Sequence, residues 1–410
     1  MNDVALLDKW FAILDNIGVN DDGSTSRMGY TDVEDAMIAA VVKIGSEYGL
    51  KHCVDEVGNT FIYNGTGEGD YTLIGSHLDS VLQGGKFDGI AGVLAGMLIL
   101  KKLQDEKLDI PVKVGIFRME ESSVFGIATV GSKLVTGNLT EASLKKATNA
   151  DNTSLYDIMI GRGYKANPAK ITKLKQYLEL HIEQGRVLEV KGLTLGVVNS
   201  IAAPVRMWVK FTGNQDHSGA TPMDLRKDSL VAAAELIVAV EQFGKAELAN
   251  ASVATVGIVR NTPNVFNVVP GETTLGIDIR GIDKASRERV LQNTEAKAQK
   301  IATEGGLGCS ISRVSESDPV KLDDTLCAKL SKTAEKLGIA HLVMPSGAGH
   351  DAMNFTEICP VGMLFIPCKE GISHNKDELA KTEDIARGSD VLLEYLKNMK
   401  IKLYNHQNLS

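Results

Sequence analysis

Histidines and carboxylates that fall directly beside short apolar runs are the residues of this chain best suited to chemistry. Gly75-Ser76-His77-Leu78-Asp79 follows one such run, and Phe87-Asp88-Gly89 precedes another. In an H-x-D pair the carboxylate can hold the imidazole tautomer while the other ring nitrogen binds a metal, which makes Asp79 the candidate partner of His77. Asp88 reads two ways, as a ligand or as the N-cap of the helix that follows it. Arg118-Met119-Glu120-Glu121 ends a third apolar run. Adjacent carboxylates repel one another and are costly to desolvate, so this pair faces solvent unless a cation compensates it. With a cation, one carboxylate can coordinate while its neighbour takes a proton from water whose pKa the ion depresses. His181 lies within the otherwise apolar Glu179-Leu180-His181-Ile182, where it is either a core histidine or a ligand. His350 sits on the turn Ser346-Gly347-Ala348-Gly349-His350-Asp351, and His374 follows the run VGMLFIPC. Each signal is weak alone, and their joint placement after predicted strands points to a metal-activated water.

The elements that must position these residues alternate along the chain. Tyr71 to Ser76, Pro111 to Met119 and Gln176 to Ile182 read as short buried strands and Gly89 to Gln104 as a helix, an order that predicts a mostly parallel sheet. Such sheets place ligands at the carboxyl ends of their strands. The texture changes near Pro204. VRMWVKF, SVATVGIVR and TTLGIDIR alternate like longer half-buried strands, with helices expected at Leu225 to Phe243 and Lys284 to Glu304. That β-α-β-β-α-β order predicts a compact antiparallel sheet under two helices. After Ser315 the first texture resumes, with helices near Asp323 to Leu337 and Glu383 to Asn398 around the strand Val361 to Pro367. The expected fold class is therefore α/β. A larger catalytic domain with a mostly parallel sheet, residues 1–204 and 316–410, is interrupted by a smaller α+β, ferredoxin-like domain, residues 205–315.

Composition narrows the function. With 410 residues, two domains are the better expectation. The 44 basic and 52 acidic residues give a net charge of −8 with no long run of either sign, which predicts no nucleic-acid surface. The longest apolar stretch, Ile90 to Leu100, is too short to span a bilayer, and the opening MNDVALLDKWFAILDNIG is an amphipathic helix pattern rather than a secretory signal. No membrane association and a cytoplasmic location are expected. Five cysteines without a C-x-x-C spacing predict free thiols. H-E-x-x-H, G-x-x-x-x-G-K-[ST] and G-x-S-x-G are all absent from the sequence. The glycine-rich GTGEGD at 65–70 reads as a hairpin turn.

With these residues in view, the sequence resembles the carbamoylase, allantoate and ureidoglycolate amidohydrolase branch of the dinuclear zinc peptidase/amidase superfamily, whose members include N-carbamoyl-L-amino acid hydrolases. GSHLDSVLQGGKFDGIAGVLAG, MEES, LELHIEQG, GNQDHSGATPMDLRKD, NVFNVVPG, DIRGID, SGAGHDA and ISHNKDE are similar to the family blocks, in the family order. The resemblance implies that His77 and His181 bind one metal, that Glu121 and His374 bind the other, and that Asp88 bridges both. It implies Glu120 as general base, and an inserted lid and dimerisation domain that supplies His217, Asn267 and Arg280 to the substrate, His217 in a catalytic role. Gln184 and His350 match positions that face substrate. Two divalent ions per subunit follow, zinc first, although manganese, cobalt or nickel suit the same donors. The partners implied are a small ureido or carbamoyl substrate and a second copy of the chain. Two departures stand out. The glutamate pair continues Ser122-Ser123-Val124-Phe125 where many relatives have Gly-Ser-Arg-Phe, and Arg186 stands where proline is usual.

The expected reaction is hydrolysis of a ureido or N-carbamoyl C–N bond in a small carboxylated substrate, an N-carbamoyl-L-amino acid, ureidoglycolate or allantoate. A metallo-aminopeptidase or N-acyl amino acid deacylase is the first rival, and His181 weighs against it because peptide-cleaving relatives commonly carry an acid there. A metal-dead binding protein is the second, and the intact ligand set weighs against it.

Overall fold

The chain is described from a computed structural model that covers residues 2–65 and 67–407. It opens with α1 (Asp3–Leu14), which buries Leu6, Leu7, Trp10, Phe11 and Leu14 as the amphipathic pattern requires, and α2 (Asp32–Glu47). Strands β1 (Lys51–Val54), β2 (Thr60–Tyr63) and β3 (Tyr71–His77) follow, then α3 (Ile90–Asp105) and β4 (Val112–Phe117). Three short helices, α4 (Val130–Thr136), α5 (Glu141–Lys146) and α6 (Leu155–Gly161), lead to β5 (Leu174–Ile182), α7 (Val187–Lys191) and β6 (Leu195–Ile201).

The next stretch has the predicted β-α-β-β-α-β order. Its main strands are β7 (Ala203–Thr212), β9 (Val253–Thr262), β11 (Glu272–Gly281) and β12 (Gly308–Glu316), and its helices α8 (Ser229–Ala246) and α9 (Lys284–Gly305). They form an antiparallel sheet in the order β12-β7-β11-β9. Two-residue strands β8 (Asp216–His217) and β10 (Val268–Val269) pair separately. The inward residues of β7, Val205, Met207, Val209 and Phe211, pack with both helices into one apolar core. The chain then returns through β13 (Val320–Lys321), α10 (Asp324–Lys336), β14 (His341–Ser346), β15 (Val361–Ile366) and α11 (Thr382–Gln407).

The large sheet has nine strands in the order β1-β2-β4-β3-β5-β15-β6-β13, with β14 also on β6. Its centre, β4-β3-β5-β15, is parallel, as expected, whereas β1, β2 and β6 run antiparallel to their neighbours. The central strands are apolar and buried because α3 covers β3, β4 and β5. GTGEGD does not close a hairpin between its flanking strands. β4 lies between β2 and β3, so the segment that contains it links strands that are not neighbours.

Two compact units result: Met1–Asn199 with Lys321–Met344 and His350–Ser410, and Ser200–Val320 with Pro345–Gly349. The changes of sequence texture at 204 and 315 fall a few residues inside the second unit. The turn 345–349, which the sequence assigned to the catalytic domain, groups with the second unit: Ala202 N donates to Ser346 O at 2.8 Å and Arg280 Nη1 to Gly347 O at 3.4 Å. No helix among the described residues is long and apolar enough to cross a membrane. All five cysteines are free.

Candidate metal centre

The four parallel strands of the large sheet deliver the candidate residues at their carboxyl ends. His77 closes β3, Glu120 and Glu121 follow β4, His181 lies one residue from the end of β5, and His374 follows β15. Asp88 comes from the loop before α3, and it is no helix cap: the N-cap is Gly89, φ +70°, and no side chain caps the helix. A side chain at Gly89 would meet the His77 carbonyl oxygen at 2.6 Å, so this position lets the loop close onto β3.

Asp88 stands at the junction of two clusters. Its Oδ1 lies 2.9 Å from His181 Nε2 and 3.5 Å from His77 Nε2. Its Oδ2 lies 3.3 Å from His374 Nε2, which is 3.1 Å from Glu121 Oε1. The sets His77, Asp88, His181 and Asp88, Glu121, His374 each bring one donor atom per residue within 4.8 Å of one another.

The donor chemistry fits a cation. His181 Nδ1 is 2.9 Å from the Ile182 carbonyl oxygen and His77 Nδ1 is 3.1 Å from that of Asp79, so each Nδ1 carries the hydrogen. Each neutral ring then turns an Nε2 lone pair toward a carboxylate oxygen, an arrangement that only a proton or a metal ion between them makes favourable. His181 Nε2 is buried and makes no hydrogen bond. Without such an ion, burial pulls the His77 and His181 pKa values down, but the facing carboxylates win and raise both. His374, held by Asp88 and Glu121, is pushed up to about 11. Burial would raise Asp88, yet the three imidazoles hold it well below the ordinary carboxylate range.

Glu120 is buried, with Oε2 at 4.0 Å from His77 Nε2. Burial pushes its carboxyl well up, with Glu121 and Asp351 adding to the shift and His77 opposing it. Asp79 does more than face His77. Its two oxygens accept the backbone N–H groups of Glu120 and Glu121, both at 3.0 Å. Gln184 Nε2 donates to Asp88 Oδ2 at 2.9 Å, while its Oε1 is buried without a hydrogen-bond partner. His350 stacks edge-on against His181 at 4.5 Å, and burial holds it well below its usual pKa, hence neutral.

Several participants escaped sequence reasoning. Glu378 accepts the N–H groups of Phe87 and Asp88 at 2.7 and 3.0 Å and faces Ser373, whose hydroxyl also lies 3.1 Å from Asp88 Oδ2. Glu179, fully buried beneath the histidines, takes Ser76, Tyr177 and the Ala352 N–H. Within LELHIEQG, Glu183 accepts from Val187 and Leu188 N–H and so caps α7. The quoted motifs ISHNKDE and LELHIEQG held all three, without a signal that separated them from surface acids.

His217, Asn267 and Arg280 belong to the second unit. There β8 and β10 pair His217 with Val268, and Ser218 N donates to Asn267 O at 3.1 Å. His217 Nδ1 accepts the N–H groups of Gly219 and Ala220 at 3.1 and 3.2 Å, which leaves its proton on Nε2 as an outward donor. Arg280 uses Nε and Nη2 on Asp278, at 2.9 and 3.2 Å, and Nη1 on the Gly347 carbonyl at 3.4 Å.

Residues 73–398 match the model of peptidase family M20/M25/M40. The chain belongs to that family. It is a hydrolase of the M20 type, and the enzymes of this family are metal-dependent. Among its relatives, the ureidoglycolate hydrolase of Oryza sativa subsp. japonica is 35% identical over 90% of this chain and 79% of its own. The N-carbamoyl-L-amino acid amidohydrolase of Geobacillus stearothermophilus is also 35% identical, over 92% of this chain and 94% of its own. The crystal structure of an amidase of the hydantoinase/carbamoylase family from Burkholderia multivorans matches 96% of this chain and 97% of that one, with a TM-score of 0.87 at 32% identity. The resemblance read from the ordered M20 motifs is therefore borne out at the level of the amidohydrolase branch.

Proposed function

We propose that this M20 enzyme hydrolyses the C–N bond of a ureido or N-carbamoyl group in a small carboxylated substrate. The observation that carries the reading is Asp88, set between the His77–His181 pair and the Glu121–His374 pair with Glu120 beside them. The names of the relatives give the bond class. Two equally similar relatives bear different substrate names, so identity alone does not choose between an N-carbamoyl amino acid and ureidoglycolate.

His77, His181, Asp88, Glu121 and His374 would hold two divalent ions, zinc in our reading, with manganese, cobalt or nickel able to use the same donors. Bound there, such ions supply Lewis acidity to the substrate carbonyl and make water acidic near neutral pH. Glu120 takes the proton of the attacking water and returns it to the leaving nitrogen. His217 offers its Nε2–H to the developing oxyanion, a role its fixed tautomer suits. Arg280 receives the substrate carboxylate, and Asn267, Gln184 and His350 complete the recognition. We further assign the second unit the roles of lid and dimerisation domain in a cytoplasmic homodimer. β9 supports this, because among the described residues it pairs only with β11 and leaves Val253, Ile258 and Val259 exposed along that edge strand.

Ammonia release from allantoate, ureidoglycolate and a set of N-carbamoyl-L-amino acids, measured with each candidate metal, tests the proposal. Turnover of one class that a chelator abolishes is expected. A fully metal-loaded enzyme that releases ammonia from none of them, but cleaves peptides or N-acyl amino acids, would overturn it.

A further inference from the structure

Tyr30 at φ +56° and Met119 at φ +52° are among the residues of the first unit that hold the left-handed backbone side chains disfavour. Both give their amide N–H to a single carboxylate. Tyr30 donates to Oε2 of Glu34 at 2.6 Å, and Met119 donates to Oε1 at 3.0 Å. Glu34 lies in the first turn of α2 and is 1% exposed. The Nε of Arg118, itself buried, sits 2.8 Å from Oε2, and its guanidinium lies over the rings of Tyr30 and Tyr164 at 4.9 and 5.5 Å. Burial raises Glu34 to about 7 against the pull of Arg118. Every group that reaches its oxygens is a donor.

Beyond Met119 the chain is held from other sides. The carbonyls of Arg118, Met119 and Glu120 accept the N–H groups of Gly131, Val130 and Thr129 at 2.9, 2.9 and 2.7 Å, and Asp79 takes the next two amides. None of these partners fixes the Met119 N–H. That bond belongs to Glu34 alone, at the residue whose φ sets where Glu120 and Glu121 project.

We propose that Glu34 is the positioning residue of the Glu120–Glu121 pair. It touches neither substrate nor metal. It locks Met119 in the left-handed conformation that aims Glu120 at His77 and Glu121 at His374, with the Arg118 guanidinium beside it. The inference rests on the roles assigned to Glu120 and Glu121 above. Strained backbone persists only where its surroundings over-determine it, and one carboxylate serving two such residues is that condition.

Glu34→Gln tests it with little change of shape, because a carboxamide has one acceptor oxygen for two N–H donors and turns an NH2 toward a third. Val41→Ala, a buried truncation on the same helix away from these donors, is the control for general loss of stability. Thermal melting, divalent-ion affinity by competition with a chromophoric chelator, and kcat and KM on the substrate that the ammonia panel identifies are measured for each. Glu34→Gln is expected to weaken one of the two ions roughly tenfold and to lower kcat roughly tenfold, with KM within about twofold, as is usual for partners that orient ligands. Val41→Ala should lower the melting temperature and change neither. If Glu34→Gln does not fold, Arg118→Lys, which keeps the charge but loses the Nε contact, should show the same losses in smaller measure. Normal ion affinity and kcat in the folded variant, or equal losses in Val41→Ala, would overturn the proposal. The ion titration needs no substrate, so it decides Glu34 even if the wild type releases no ammonia.

Discussion

Glu120 is the base of the proposed mechanism, and its environment makes a sharp test possible. Glu120→Gln preserves size but cannot accept a proton, and Glu120 is not among the atoms clustered with Asp88. We expect full metal content by elemental analysis with turnover down by about 10²–10⁴, the usual worth of a positioned base. Substantial turnover at full occupancy would move the base elsewhere. Asp351 gives a test on the pH axis. Buried, with Glu179 facing it, its carboxyl is raised to about 7 from an ordinary 3.8. An acid whose folded pKa is raised favours the fold while protonated, so its contribution is full below about 3.8 and is lost as pH climbs through about 7. Asp351→Asn, which mimics the neutral form, should therefore gain in melting temperature relative to wild type as pH rises from 4 to 7, and the difference should level off above. A constant difference across that range would refute the assignment. At this scale the clustering histidines and carboxylates were legible because each follows or precedes an apolar run, where a polar residue needs a reason. Glu34 was not, since Thr31-Asp32-Val33-Glu34 has the pattern of a helix capping box and an acid there needs no further explanation. In the structure Thr31 does cap the helix, while the Glu34 carboxylate serves Tyr30 and Met119 instead. Glu378 and Glu179 were silent for a related reason: their partners are backbone amides and hydroxyls distant in sequence.

Elements were easier to read than their neighbours. β3, β4, β5, β15 and α3 lie where periodicity and apolar runs place them, because the centre of a covered parallel sheet is apolar on both faces. Pairing was less legible. Nothing in the order of strands reveals that β4 inserts between β2 and β3, so a glycine-rich link passed for a hairpin. Two of the glycines in GIAG have distinct duties: Gly89 bends the loop, and Gly92 lets α3 approach β5. A Cβ at Gly92 would stand 2.2 Å from the Leu180 carbonyl oxygen and 2.9 Å from Ser76 Cβ, and main chain on that side cannot yield cheaply. Gly92→Ala should cost about 1–3 kcal/mol in denaturant unfolding, the range for overpacking, and should also weaken metal binding, because β5 carries His181. A variant as stable as wild type would show that helix and sheet are less closely seated than described.

At the scale of the whole molecule, texture suggested a chain order interrupted at 205–315, and the second compact unit spans Ser200–Val320 with Pro345–Gly349, β6 running almost directly into β7. The same order frames the dimer proposal. If His217 serves the partner's site, His217→Ala and Glu120→Gln homodimers are each nearly inactive, while a mixed dimer keeps one site with both groups. Exchange of subunits should then restore up to about half the activity per mixed dimer by symmetry. Demonstrated exchange without recovery would confine His217 to its own chain or remove it from catalysis. The position of β15 bears on how the protein is made. During translation β3, β4, β5 and β6 leave the ribosome first, and the whole second unit is synthesised before Val361–Ile366 arrives to fill the place between β5 and β6. Until then the nascent chain carries two unpaired apolar strand edges, the kind of surface on which chains stick to one another. Expression yield and chaperone dependence should thus respond to the last strand to be made, and a messenger that stops short of it is expected to give a product prone to aggregate.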